Sequence, residues 1–142
     1  MLLAIESSCD ETAVAIIRRG PDGPHLLSSL ISSQIEIHRQ YGGVVPEVAC
    51  RNHAQRIRPL VQQAIIDAGV TLDQIDAFAA TRGPGLASSL LVGLAYAKGL
   101  ATATGKPFYG ANHMEAHLPS PFLQLGTLPP HLALTLPGRH TP

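Results

Sequence analysis

Two short apolar runs open the chain, Leu2 to Glu6 and Thr12 to Arg18. The polar stretch Ser7-Ser8-Cys9-Asp10-Glu11 between them predicts a hairpin with a long loop. A third run, His25 to Ser33, follows the turn signal Gly20-Pro21-Asp22-Gly23-Pro24, so three consecutive antiparallel strands are expected. From Asn52 to Ala68 the period changes: Ile57, Leu60, Val61, Ala64, Ile65 and Ala68 recur at helical spacing, with Gly69 as the stop and Pro59 as a kink or the true start. Asp76 to Thr81 then reads as a strand, Arg82-Gly83-Pro84-Gly85 as a turn, and Leu86 to Thr104 as a helix. That helix carries Gly85, Ser89, Gly93, Ala97 and Ala101 at every fourth residue, a face so small that another helix or the sheet can approach it closely. Pro107 to Ala111 reads as a further strand, and Asn112 is placed to cap a short helix reaching about His117.

Beyond this point the texture changes. Six of the twelve prolines lie between Pro119 and Pro142, which excludes a long helix, although Leu132 to Leu136 suits one more strand. An order that opens on antiparallel hairpins and then alternates helix and strand fits half of a two-lobed α/β architecture better than a doubly wound sheet.

Composition narrows the class. Hydrophobic residues make up 45% of the 142 and charged residues 14%, as expected of a globular chain with one core. Ten basic residues balance ten acidic ones, which argues against a module that binds nucleic acid by its own charge. The only basic cluster, Arg51, Arg56 and Arg58 with His53 and Arg39, suits either RNA phosphates or a solvated helix face. Cys9 and Cys50 are too few for a disulfide framework, and free thiols in the cytoplasm are the expectation. No basic residue adjoins Cys9 to activate it, and the start reads as a buried strand rather than a signal peptide. The most apolar stretch, Leu86 to Ala97, is short of the roughly 20 residues a membrane-spanning helix needs.

His113 and His117 carry the sharpest chemical signal. Residues four apart on a helix share a face and can offer two imidazole nitrogens to one ion, although the same spacing suits two surface histidines. Two ligands do not complete a catalytic site, which takes a third from elsewhere, an Asp or Glu by preference. Glu115 does not directly follow the first histidine, as the base of a zinc protease would. The loop Ser7 to Thr12 sets hydroxyls, backbone amides and the carboxylates of Asp10 and Glu11 at a strand end, suited to a phosphate or to orienting a reacting group, or simply to a polar turn. Gly83-Pro84-Gly85 suits an anion at a helix N-terminus or a plain tight turn. The glycine-rich Tyr41-Gly42-Gly43-Val44-Val45-Pro46-Glu47 lacks the P-loop pattern and reads as a loop.

Taken in order and spacing, Ile5-Glu6-Ser7-Ser8-Cys9-Asp10-Glu11-Thr12, Tyr41 to Glu47, Gly83-Pro84-Gly85-Leu86 and His113-Met114-Glu115-Ala116-His117 resemble the TsaD family, the tRNA N6-adenosine threonylcarbamoyltransferases once called glycoproteases. The resemblance implies an actin-like, sugar-kinase-like fold of two RNase H-like lobes. Residues 1–125 would form the first lobe, and 126–142 a linker and the start of the second. It implies transfer of a threonylcarbamoyl group from threonylcarbamoyl-adenylate to N6 of adenosine 37 in tRNAs reading codons that begin with A. His113 and His117 would hold one divalent metal, iron or zinc, with the family's third ligand an aspartate further along the chain than residue 142. Asp10 and Glu11 match acidic residues near the reaction centre.

Thr135, Leu136, Pro137, Gly138 and Arg139 would meet the adenylate-type nucleotide or ATP. There the family's Ser-Gly-Gly-His-Thr turn is replaced by Pro137-Gly138-Arg139-His140-Thr141, which removes a backbone donor and adds a side chain where the phosphate approaches. The partners implied are a TsaB-type paralogue, a TsaE-type ATPase and tRNA, with no membrane. A homodimer through the small-residue helix face or a free strand edge at 132–136 is a further expectation. A non-catalytic module pairing with the TsaB-type protein through the small-residue face from Gly85 to Ala101 is the alternative to a transferase, and a metalloprotease ranks last.

Overall fold

The computed structural model describes residues 1–125 and 129–132. Strands β1 (Leu2–Glu6), β2 (Glu11–Gly20) and β3 (Gly23–Ser33) form the expected antiparallel meander, with Pro21 and Asp22 at the second turn. β4 (Ala77–Gly83) lies parallel beside β1, and β5 (Phe108–Asn112) lies parallel beside β4. The result is a five-stranded mixed sheet in the order β3-β2-β1-β4-β5. Both parallel pairings need crossovers, and the helices that make them cover one face.

Register explains which residues form the core. Leu3 faces Ile16 on one side and Phe78 on the other, Ile5 faces Val14 and Ala80, and all six are buried. Strand alternation puts them on one face, where α2 (Pro46–Asp67) covers β2 and β3 and α3 (Ala87–Thr104) covers β1 and β4. Ile57, Val61 and Ala64 of α2, Ala97 and Ala101 of α3 and Ile75, just before β4, complete the cluster. Phe78 is fully buried, and such a side chain contributes about 1.5–3 kcal/mol by leaving water.

The helices depart from expectation in three places. α2 begins at Pro46, six residues before the expected Asn52, because a proline in the first turn sacrifices no intrahelical bond. Pro59 lies inside the helix without ending it. The short α1 (Ile35–Arg39) was not legible: it exposes Ile35 and buries Gln34 and His38, the reverse of an apolar stripe.

The small-residue face of α3 corrects a further expectation. Ser89, Gly93, Ala97 and Ala101 are all buried against the lobe itself, so the approach they permit is to β1 and its loop. From Ser89 to Ala101 that face is therefore open neither to a homodimer nor to a TsaB-type paralogue. The strand expected at 132–136 lies outside the described residues but for Leu132, which has no regular structure. Among the described residues no helix is long and apolar enough to cross a membrane.

Candidate metal centre

β1, β4 and β5 are parallel, so their carboxyl ends share one edge of the sheet, where open α/β sheets build their sites. Asn112 closes β5 there. Its side-chain carbonyl accepts from the amides of Met114 at 2.9 Å and Glu115 at 3.2 Å, starting α4 (His113–His117) as the sequence anticipates. One turn of helix then sets the histidines on a common face, with Nε2 of His117 3.1 Å from Nε2 of His113. The rings meet edge to face, with centroids 4.6 Å apart.

The donor set suits a metal. Two nitrogens bound at about 2.0–2.1 Å to one ion, with an angle between the tetrahedral and octahedral values, lie about 2.9–3.4 Å apart. No group of three or more His, Cys, Asp or Glu side chains able to hold an ion occurs among the described residues.

Glu6, at the end of β1, lies against His113 and was not singled out from the sequence. Its Oε2 is 3.3 Å from His113 Nδ1 and accepts from the Thr81 hydroxyl, while Oε1 accepts from the amide of Ser8. Burial raises the Glu6 pKa, but the hydrogen bonds from Ser8, Thr81 and His113 together outweigh it and hold the carboxyl below its usual 4.5. The signal that could have found it is its place in the strand. A charged residue at the end of a buried strand, on the face opposite Leu3 and Ile5, needs partners.

Asp10 and Glu11 fall on the same loop. Asp10 is half-buried and its carbonyl accepts from the Gln34 amide at 2.9 Å, whereas Glu11 opens β2 with an exposed side chain. Cys9 is no nucleophile: burial and then the neighbouring Asp10 charge push its thiol up to about 11. Thr135, Leu136, Pro137, Gly138 and Arg139 lie outside the described residues.

Two contacts fix the loop. Ser8 carbonyl accepts from the Leu86 amide at 2.8 Å, and a Cβ on Gly85 would come within 2.6 Å of that oxygen, so glycine is required there. Gly83-Pro84-Gly85 is thus a tight turn closed onto Ser8. On the other side His53 is fully buried and donates from Nε2 to the Cys9 carbonyl at 3.0 Å. Its Nδ1 then accepts from the Thr12 hydroxyl at 2.8 Å. His53 therefore leaves the basic cluster, whose arginines remain exposed on α2 and at Arg39, where Glu36 pairs at 2.9 Å.

Burial holds the His53 pKa below its usual 6.5, against the Cys9 carbonyl that raises it. The unfolded chain takes up this proton more readily, so stability is full above about pH 6.5 and falls as pH drops toward the folded value. Urea midpoints measured from pH 7.5 to 5.5 are expected to decline, and His53→Gln should lower the midpoint at pH 7.5 while flattening that decline. An equally steep decline in the variant would assign the effect elsewhere.

The fold and the site together define an actin-like, RNase H-like α/β lobe carrying a histidine pair at the carboxyl edge of its sheet. YeaZ from Pseudomonas aeruginosa superposes with a TM-score of 0.60 at 27% identity, over 78% of this chain and 42% of that one. A second solved structure, described as an uncharacterized protein with similarity to peptidase YEAZ from the same organism, gives 0.57 at 30% identity, with the same coverage of 78% and 42%. The family model of TsaD, tRNA N6-adenosine threonylcarbamoyltransferase, matches residues 25–142. The chain belongs to the TsaD family. It is 52% identical over 141 residues to the tRNA N6-adenosine threonylcarbamoyltransferase of Clostridium botulinum, 53% over 142 residues to that of Clostridium perfringens, and 51% over 141 to that of Pelobacter propionicus. In each case the match covers 99% of this chain and 41% of the relative.

Proposed function

We propose that this chain supplies the first lobe of a transferase that moves the threonylcarbamoyl group from threonylcarbamoyl-adenylate to N6 of adenosine 37 in tRNAs reading codons that begin with A. The observation that carries the reading is the convergence of His113 and His117 Nε2 atoms at 3.1 Å on the carboxyl edge of the sheet, in a chain of the TsaD family. Iron or zinc bound there supplies Lewis-acid polarisation of the acyl donor. Asp10 and Glu11, on the loop stitched to α3 by Ser8, are the groups to accept the proton from the adenosine amine. In this reading the chain works in the cytoplasm with a TsaE-type ATPase as a partner, and Thr135 to Arg139 are the residues the family resemblance assigns to the nucleotide.

The test is reconstitution. The chain mixed with a separately expressed second lobe from the Clostridium perfringens relative, the TsaB-type and TsaE-type partners, zinc or iron, donor and tRNA is expected to form threonylcarbamoyladenosine, and the chain without the second lobe is not. Product without the second lobe would overturn the two-lobe assignment. No product from the mixture, with both lobes folded and associated, would overturn the transferase reading.

The likeness to YeaZ supports a second reading, a module that pairs with a TsaB-type paralogue of the same fold. Its specific observation is on the outer faces of the helices, where Ile66 of α2 is 68% and Leu91 of α3 is 65% exposed. Two chains of one fold can bury such faces against each other about a pseudo-twofold axis. Leu91→Glu is expected to abolish the heterodimer in size-exclusion chromatography while leaving the unfolding free energy of the lobe, read from urea titration, within about 0.5 kcal/mol.

A further inference from the structure

We infer that Glu6 is a positioning residue for His113, holding its imidazole with the proton on Nδ1 so that the lone pair of Nε2 faces His117. The inference deepens the metal-centre reading and rests on it. His113 Nδ1 has two oxygen neighbours at the same distance, Glu6 Oε2 and Ser8 Oγ, each at 3.3 Å. Only the carboxylate fixes the protonation by itself. A carboxylate only accepts, so a bond to Glu6 requires Nδ1–H and leaves the lone pair on Nε2. A hydroxyl could donate and move the ring proton to Nε2, but the Ser8 hydroxyl also hydrogen-bonds Glu6, and with its proton used there it can only accept from the ring.

Glu6 is equipped to win this competition because it is itself held. The Ser8 amide fixes one carboxylate oxygen and the Thr81 hydroxyl the other, from two separate elements. The Ser8 side chain hydrogen-bonds the same carboxylate and so helps to hold it. The arrangement of carboxylate, imidazole and unprotonated Nε2 is the one that orients histidine ligands in metal sites generally, and losing the carboxylate there typically weakens binding 10- to 100-fold.

The experiment compares wild-type chain with Glu6→Ala, Glu6→Gln and Ser8→Ala, using zinc affinity by competition against a chromophoric chelator and nitrogen-15 imidazole spectra of the metal-free chains. Wild type is expected to bind zinc and to show His113 as the Nδ1–H tautomer. Glu6→Ala should lose about 10- to 100-fold in affinity and shift the tautomer toward Nε2–H, while Ser8→Ala, which removes one hydrogen bond to Glu6 but keeps the amide that holds it, should lose less than Glu6→Ala and keep the Nδ1–H tautomer. Glu6→Gln, of the same shape, is the working variant if the alanine does not fold, and it should fall between. An unshifted tautomer and unchanged affinity in both Glu6 variants would overturn the role assigned to Glu6. A wild-type chain that binds no zinc, yet shows the Nδ1–H tautomer and its loss without Glu6, would instead overturn the metal reading alone.

Discussion

Gly93→Val is expected to destabilise the lobe by about 3 kcal/mol or more, whereas Gly99→Ala, six residues further along the same helix, should stabilise it by about 0.5–1 kcal/mol. The two glycines face opposite situations. A Cβ at Gly93 would stand 2.5 Å from Ser7 Oγ and 3.3 Å from Ile5 Cγ2, while one at Gly99 meets nothing within 4 Å. Ser7 is buried and its hydroxyl donates to the Ser89 carbonyl at 2.8 Å and accepts from the Gly93 amide at 3.2 Å, so rotating it away breaks two bonds. Each lost bond costs about 1 kcal/mol, and forcing bulk into a packed interior adds about 1–3. Gly93→Ala recovers about 1 kcal/mol of helix propensity and should therefore be the milder variant. Urea unfolding of the three proteins reads the result directly. If Gly93→Ala were as stable as Gly99→Ala, the close approach of α3 to the Ser7–Ser8 loop would not hold in solution. Because the same loop carries Ser8 and runs on from Glu6, Gly93→Val should also reduce zinc affinity, a link from helix packing to the site.

The strands, the helix periods and the cap at Asn112 were legible because each rests on local rules: alternation, fourfold spacing and a side chain that can satisfy free amides. The histidine pair was legible for the same reason, since four residues of helix suffice to bring the two rings together. Glu6 was not, because its meaning depends on β4 lying parallel to β1 and β5 parallel to β4, which brings residues 6, 81 and 113 to one edge. Nothing within a short window of sequence encodes that adjacency. His53 shows the converse. Its neighbours Arg51, Arg56 and Arg58 make it look like part of a basic surface, but the helix turns it to the opposite side, where Thr12, Gln34 and the Cys9 carbonyl surround it. The small-residue stripe was read correctly as a close-approach face, but sequence could not say whether a second chain or the lobe's own strand would use it. Burial of Ser89, Gly93 and Ala97 against the lobe answers for the strand.

His117→Ala is expected to lower zinc affinity by more than about 100-fold, beyond the range seen when only an outer partner of a ligand is removed. The fold should hardly notice. His117 is exposed at the end of a five-residue helix, and surface substitutions of this kind stay within about 0.5 kcal/mol. His113→Ala should lose as much affinity at a larger structural cost, since it leaves Glu6 without one of the donors that compensate its burial. Asn112→Ala separates orientation from ligation: both imidazoles remain, but the helix start that aligns them loses a cap worth about 1 kcal/mol. A partial loss of affinity is expected there. Glu115→Ala serves as the control, because this exposed carboxylate lies between the ligands in sequence and has no part in the proposed site. Calorimetric titration with zinc, with urea midpoints measured on the same samples, distinguishes these cases. Full retention of zinc by the folded His113→Ala, His117→Ala double variant would show that the metal is held elsewhere. Retention by each single variant with loss in the double would mean that one imidazole suffices, and the 3.1 Å convergence would then lose its standing as the defining geometry of the site.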